Sequence, residues 1–301
     1  MKLLLAVDTI TTLDIMLNAI ERRSWPKGTE ADVLSVVEDD TVPPETWRTK
    51  GYGLDAVRHE MRRRGEQVSV LAIERLRAIG IAAHVTIMRG DPAFLIPFAA
   101  RKWSSDLILI RANNRIKFRN WLLGSVAKSV VEDADCSVEV VRAATEGSGD
   151  RILLATDGSD VSLTASQAVA EMKFTENAEL KVVSVINPIR YSLEEIGFLR
   201  GKESERAHRA IGKTARLLEN TPAKISAEVV AGRRARQIVA RARDWNADLI
   251  VVGAEERSGL KRLWRGTAVA VANRAHCSVR VVRTTVSAEE QPRSSRLRNA
   301  A

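Results

Sequence analysis

Short runs of consecutive apolar residues punctuate this chain, and longer stretches with apolar positions at helical spacing separate them. The apolar runs fall near residues 2–8, 31–37, 82–88, 106–111 and 137–142, and again near 151–156, 180–186, 225–230, 248–253 and 278–283. Runs this short and uninterrupted read as strands buried on both faces, because a half-exposed strand alternates apolar with polar. Such strands alternating with amphipathic helices predict parallel sheets covered by helices on both sides. The pattern therefore predicts an α/β chain of two doubly wound, five-stranded parallel sheets in tandem, Rossmann-like in layout.

The two sets of strands are copies of each other. Leu3-Leu4-Leu5-Ala6-Val7-Asp8 returns as Ile152-Leu153-Leu154-Ala155-Thr156-Asp157, and Val33-Leu34-Ser35-Val36-Val37 as Val182-Val183-Ser184-Val185-Ile186. Ser105-Asp106-Leu107-Ile108-Leu109-Ile110 matches Ala247-Asp248-Leu249-Ile250-Val251-Val252. Cys136-Ser137-Val138-Glu139-Val140-Val141-Arg142 matches Cys277-Ser278-Val279-Arg280-Val281-Val282-Arg283 at six of seven positions. Four matches in one order identify a duplication. Asp8 and Asp157 stand 149 positions apart but Gly124 and Gly266 only 142, so copy two is seven residues shorter in between. The difference is assigned to Thr41–Gly53, which has the composition of a loop. The expected domains are 1–142 and 151–283, with a flexible linker at 143–150 and a disordered tail at 284–301.

Composition narrows the classes of function. The opening apolar stretch stops at Asp8, too short for an export signal and right for a buried strand, and no run approaches the ~20 residues that cross a bilayer. The expectation is a cytoplasmic protein with no membrane partner. Two cysteines, Cys136 and Cys277, exclude a disulfide framework and are expected to be buried, inert hydrophobes. His59, His84, His208 and His276 show no metal-ligand spacing and are expected on surfaces or helices. The net charge of +9 is concentrated in copy two, at Arg233, Arg234, Arg236, Arg241 and Arg243 and at Arg257, Lys261, Arg262 and Arg265. Such clusters suit an anionic partner or a solvated face. Nucleic acid is disfavoured, since aromatic residues make up only 4% and stacking platforms are scarce.

Most catalytic signatures fail. There is no G-x-S-x-G elbow and no H-E-x-x-H. Gly212-Lys213-Thr214 imitates the end of a phosphate loop, but Ala207 stands where the loop should open and the segment reads as helix. The informative positions lie at the carboxyl ends of the strands, where open α/β sheets bind ligands. Asp8 and Asp157 end a first strand. After the fourth strand copy two reads Gly253-Ala254-Glu255-Glu256-Arg257, then Gly266-Thr267-Ala268 at the start of a helix. A glycine that admits backbone to a ligand, a basic stretch and a helix N-terminus together make a plausible anion cradle.

On these residues copy two resembles the universal stress protein family, whose ATP-binding members carry G-x2-G-x9-G-[S/T] after the fourth strand and an aspartate after the first. Asp157-Gly158-Ser159, Gly253 and Gly266-Thr267 fit that pattern at the required spacing, while Glu256 replaces the middle glycine. The resemblance spans both copies and implies an adenine nucleotide alpha hydrolase-like fold. It implies ATP, with Mg²⁺ when bound, as cofactor. Asp157 and Val185 would contact the adenosine half, and Gly253, Gly266, Thr267 and Ala268 the ribose and phosphates, with Gly158 and Val252 in the same set. Copy one departs further: Asp8 precedes Thr9-Ile10, and Arg111 and Asn114 replace both early glycines before Gly124-Ser125. Its site is read as degenerate. The family pattern supplies no dedicated base, so the expectation is a non-enzyme with at most very slow ATP hydrolysis. The alternative is a scaffold of the same fold that binds no nucleotide. The two copies are expected to pack as an intramolecular pseudo-dimer through the valine-rich edges at 137–142 and 278–283. A homodimer and a protein partner remain open.

Overall fold

The computed structural model describes residues 1–38, 54–112, 123–143, 150–175, 177–187, 196–254 and 263–284. Copy one runs β1 (Lys2–Val7), α1 (Ile10–Glu21), β2 (Glu30–Val37), α2 (Leu54–Ala78), β3 (Ala82–Arg89), α3 (Pro92–Trp103), β4 (Leu107–Arg111), α4 (Ser125–Asp133) and β5 (Ser137–Val141). Copy two repeats the order as β6 (Arg151–Ala155), α5 (Asp160–Ala170), β7 (Glu179–Ile186), α6 (Ile196–Leu217), β8 (Lys224–Ala231), α7 (Arg234–Asp244), β9 (Leu249–Gly253), α8 (Leu263–Arg274) and β10 (Ser278–Val282). Every expected strand is present, with ends within one residue of the apolar run that marks it. The linker at 144–149 and the tail at 285–301 lie outside the described residues, as does all of Thr41–Gly53.

Both copies share the strand order 3-2-1-4-5, and their last strands join them into one ten-stranded sheet, β3-β2-β1-β4-β5-β10-β9-β6-β7-β8. Pairing is parallel within each copy; between β5 and β10 it is antiparallel. Alternation along the strands distributes the core. Leu3, Leu5 and Val7 face α1 and α2, whereas Leu4 and Ala6 face the opposite layer. On that opposite face residues of α3, α4, α7 and α8 share a single core that continues across the seam. Behind the sheet each copy keeps its own core, under α1 and α2 in one and α5 and α6 in the other. Leu3, Leu4 and Leu5 are fully buried, each contributing about 1.5–3 kcal/mol of transfer free energy.

The repeated C-S-V-x-V-V-R motif forms the seam. The backbone N–H of Arg142 donates to Ser278 Oγ at 3.1 Å, and that of Arg283 donates to Ser137 Oγ at 3.2 Å. The Arg142 guanidinium crosses the seam to the carbonyls of Ala272 (2.6 Å) and Cys277 (3.0 Å), while Arg283 reaches back to those of Val131 and Ala134. Each arginine thus donates to one carbonyl in the last turn of the other copy's last helix (Ala272 or Val131), where backbone acceptors lack helical partners and cations are favoured, and to a second just beyond that helix. Cys136 and Cys277, just before β5 and β10, are unbridged and buried at 6% and 7% exposure, and burial pushes both thiols up to about 12. His208 lies on α6 and His59 on α2. His84 instead lies in β3, and His276 is half-buried just before β10, so the expectation of surface or helix histidines fails for that last residue. No described helix is long and apolar enough to cross a membrane.

Candidate functional site

In copy two the strand order reverses between β6 and β9, and a crevice opens at their carboxyl ends, as expected where neighbouring strands send their chains to opposite faces. A cleft of about 470 Å³, open solvent included, occupies this position. Its walls come from the ends of β6 (Ala155, Thr156, Asp157), β7 (Val183, Val185) and β9 (Val252, Gly253). The first turns of α5 and α7, and Thr267 on α8, complete it. Five sequence-predicted residues, Asp157, Val185, Val252, Gly253 and Thr267, therefore line one cleft.

Three others stand apart from its lining. Gly158 has φ +75°, and a Cβ there would lie 3.0 Å from Ala210 Cβ, so this turn takes glycine to bend under α6. Ala268 is buried in the core beside Thr267. Gly266 is exposed, and a Cβ there would meet nothing within 4 Å. It lies inside α8, which begins at Leu263, so Gly266-Thr267 sits within the first turns of the helix rather than at its opening. Glu256, Arg257, Lys261 and Arg262 lie outside the described residues, as does the side chain of Arg265.

Gly253 is explained by the protein before any ligand is considered. A Cβ would stand 2.6 Å from the Val161 carbonyl oxygen and 2.8 Å from Val161 Cγ1, so the missing side chain lets α5 lie against β9. The corresponding contact in copy one is Arg111 against Thr12, with the arginine Nη1 donating to Thr12 Oγ1 at 3.3 Å. Arginine there puts a long cationic side chain where copy two has glycine.

Hydroxyl groups brace the Asp157 turn. Asp157 Oδ1 accepts from the Ser159 hydroxyl (2.6 Å) and backbone N–H (3.1 Å), and Ser159 Oγ in turn caps α5 by accepting from Ser162 N–H. Beneath, Thr214 Oγ1 donates to Thr156 Oγ1 at 3.1 Å, and Thr156 Oγ1 lies 3.2 Å from Ser162 Oγ. The threonine of Gly212-Lys213-Thr214 is fully buried in this network on α6, which removes the phosphate-loop resemblance. The carboxylate at the cleft is thus held by Ser159 of its own turn, and the hydroxyls of Thr156, Ser162 and Thr214 brace that turn from beneath.

Sequence reasoning missed Thr156, Ser159, Val161, Ser162, Val183, Ile238 and, above all, Arg234. This arginine opens α7 and lines the cleft. Its signal was available: Gly232-Arg233-Arg234 follows the third strand, whose carboxyl end faces the same rim, but the cluster read equally as a solvated helical face. The structure divides it, with Arg233 and Arg236 exposed and Arg234 half-buried at the cleft.

Comparison with known proteins places these features in context. The family model described as the Universal stress protein family matches residues 1–142 and 149–283. A curated universal stress protein of Methanocaldococcus jannaschii is 35% identical over 141 residues, 44% of this chain and 81% of the relative. A solved universal stress protein from Archaeoglobus fulgidus shares the fold with a TM-score of 0.64 at 21% identity, covering 94% of this chain and 98% of its own. A functionally unknown protein of Pseudomonas aeruginosa superposes with a TM-score of 0.60 at 14% identity, over 94% and 92% of the two chains.

Proposed function

Because this chain belongs to the universal stress protein family, one member domain in each half, we propose that it is a stress-response module whose second copy binds an adenine nucleotide. The observation that carries this reading is the convergence of Asp157, Val185, Val252, Gly253, Thr267 and Arg234 on one cleft at the switch point of copy two. Val183, Val185, Ile238 and Val252 offer apolar wall for a base, and Asp157 offers an oriented acceptor for ribose hydroxyls. Thr267 and Arg234 supply a hydroxyl and a cation for phosphates. The space at Gly266 fits the same ligand, since nothing in the described protein demands glycine there.

ATP is the candidate nucleotide. Mg²⁺ would arrive on its phosphate oxygens rather than in a protein cage. The chain's own part is to bind and orient: any hydrolysis rests on positioning alone and is slow. In this reading the copies act as an intramolecular pseudo-dimer, and the Arg111–Thr12 contact favours a purely structural role for copy one.

Titration calorimetry with ATP tests the proposal. Wild type binds, Glu256→Gly tightens binding, and Gly266→Asp abolishes it. Gly124→Asp in copy one leaves it unchanged. Arg234→Gln weakens it about 10- to 100-fold, the worth of a charged hydrogen bond. Loss of binding in Gly124→Asp but not Gly266→Asp would move the site to copy one. Absence of binding in both wild type and Glu256→Gly would leave the scaffold reading.

A further inference from the structure

The two copies of the seam motif agree at six of seven positions, and the seventh is the residue that faces its own counterpart. In the β5–β10 register Val140 pairs with Val279, Glu139 with Arg280 and Val138 with Val281. Val138, Glu139 and Val140 correspond to Val279, Arg280 and Val281, so the local two-fold axis passes between Glu139 and Arg280. The flanking valines and the reciprocal Ser–Arg bonds are the same from either side. They would serve a pairing of like edges as well as the one observed. Within the motif only the central residue distinguishes the edges.

That residue is charged and enclosed. Glu139 is 0% exposed and the Arg280 side chain 9%. Arg280 donates to Glu139 Oε2 from Nε at 2.9 Å and contacts it from Nη2 at 2.8 Å. Arg23, at the end of α1, reaches the same carboxylate at 2.6 and 2.7 Å. The position equivalent to Arg23 in copy two is Met172, which packs into the apolar layer behind the sheet. Two copy-one edges could each keep a Glu139–Arg23 pair. Two copy-two edges would bury two Arg280 guanidiniums against each other with no Glu139 carboxylate at hand, and an uncompensated buried charge is severely destabilising.

We propose that the β10 edge is coded for an unlike partner: Arg280 makes it incompatible with a second copy of itself and selects the β5 edge, whose Glu139 supplies the missing acid. This is negative selection against like-with-like pairing, of the kind polar and charged core positions provide elsewhere. It rests on the seam alone and is independent of nucleotide binding.

Three full-length variants test it: Glu139→Arg, Arg280→Glu, and the double reversal. The double reversal restores one carboxylate and two arginines, Arg23 included, at the axis. Hydrogen exchange of the β5 and β10 amides is the readout. We expect Glu139→Arg, which crowds three guanidiniums with no acid, to speed exchange at least 100-fold. Arg280→Glu, where Arg23 still serves two carboxylates, should speed it less. The double reversal should return to within about fivefold of wild type. Where a single reversal fails to fold, recovery of soluble, folded protein in the double reversal is the same result. A double reversal no better than the worse single variant, or single reversals that leave exchange unchanged, would overturn the proposal.

Discussion

Two glycines of the proposed nucleotide site, Gly253 and Gly266, should change stability in opposite directions when each becomes alanine. In Gly253→Ala the new methyl would lie 2.6, 2.8 and 2.9 Å from the Val161 oxygen, Cγ1 and carbonyl carbon. Favourable carbon contacts lie near 3.5–4.0 Å, so the gap must open by roughly half an ångström or more. The obstructing atoms include backbone, so a rotamer change cannot relieve the clash. Helix α5 itself has to move off β9, straining the Ser159–Asp157 and Ser162–Thr156 contacts with it. Overpacking of this sort costs about 1–3 kcal/mol. Gly266→Ala meets nothing within 4 Å, and its site within a helix gains about 0.5–1 kcal/mol when glycine becomes alanine. Urea unfolding followed by circular dichroism, paired with ATP titration, separates the effects. Both variants should bind ATP more weakly, but only Gly253→Ala should unfold earlier. Unchanged stability in Gly253→Ala would refute the packing argument. ATP binding by Gly266→Ala at wild-type strength would show that the open space is not used by ligand.

Other consequences are more direct. Cys136 and Cys277, with thiols pushed up to about 12 by burial, should react with Ellman's reagent at pH 8 only after urea is added; rapid labelling of native protein contradicts their burial. Burial alone would raise the Glu139 carboxyl, but Arg23 and Arg280 outweigh it and hold it below the ordinary value of 4.5. Its contribution is therefore fully present above about pH 4.5 and lost as pH falls through the depressed folded value. Acid titration should loosen the seam in that window, and Glu139→Gln should remove this part of the pH dependence. Arg142→Met strands the Ala272 and Cys277 carbonyls and should cost about 1–3 kcal/mol in urea unfolding, with faster exchange at the α8 C-terminus.

The sequence by itself determined the elements and their order. Strands buried on both faces must be apolar at every position, so β1, β4, β6 and β9 announce themselves without any knowledge of their neighbours. Duplication made each reading in one copy a check on the other, and Asp157 and Gly253 could be placed on one rim because parallel strands all end on the same side, whereas Val185 came from the family resemblance. Residues whose meaning depends on a partner distant in sequence were decided only by the tertiary structure. Glu139 and Arg280 look like ordinary surface charges on alternating strands until the two edges meet and enclose them. Arg142 and Arg283 become caps only because the seam delivers each to the other copy's helix. Gly253 answers to Val161, 92 positions away, and Arg234 enters the cleft because α7 packs against β7 and α8. Local patterning fixes which face of an element is apolar, whereas the identity of what a side chain meets is set by closure of the sheet, which no window of neighbouring residues contains.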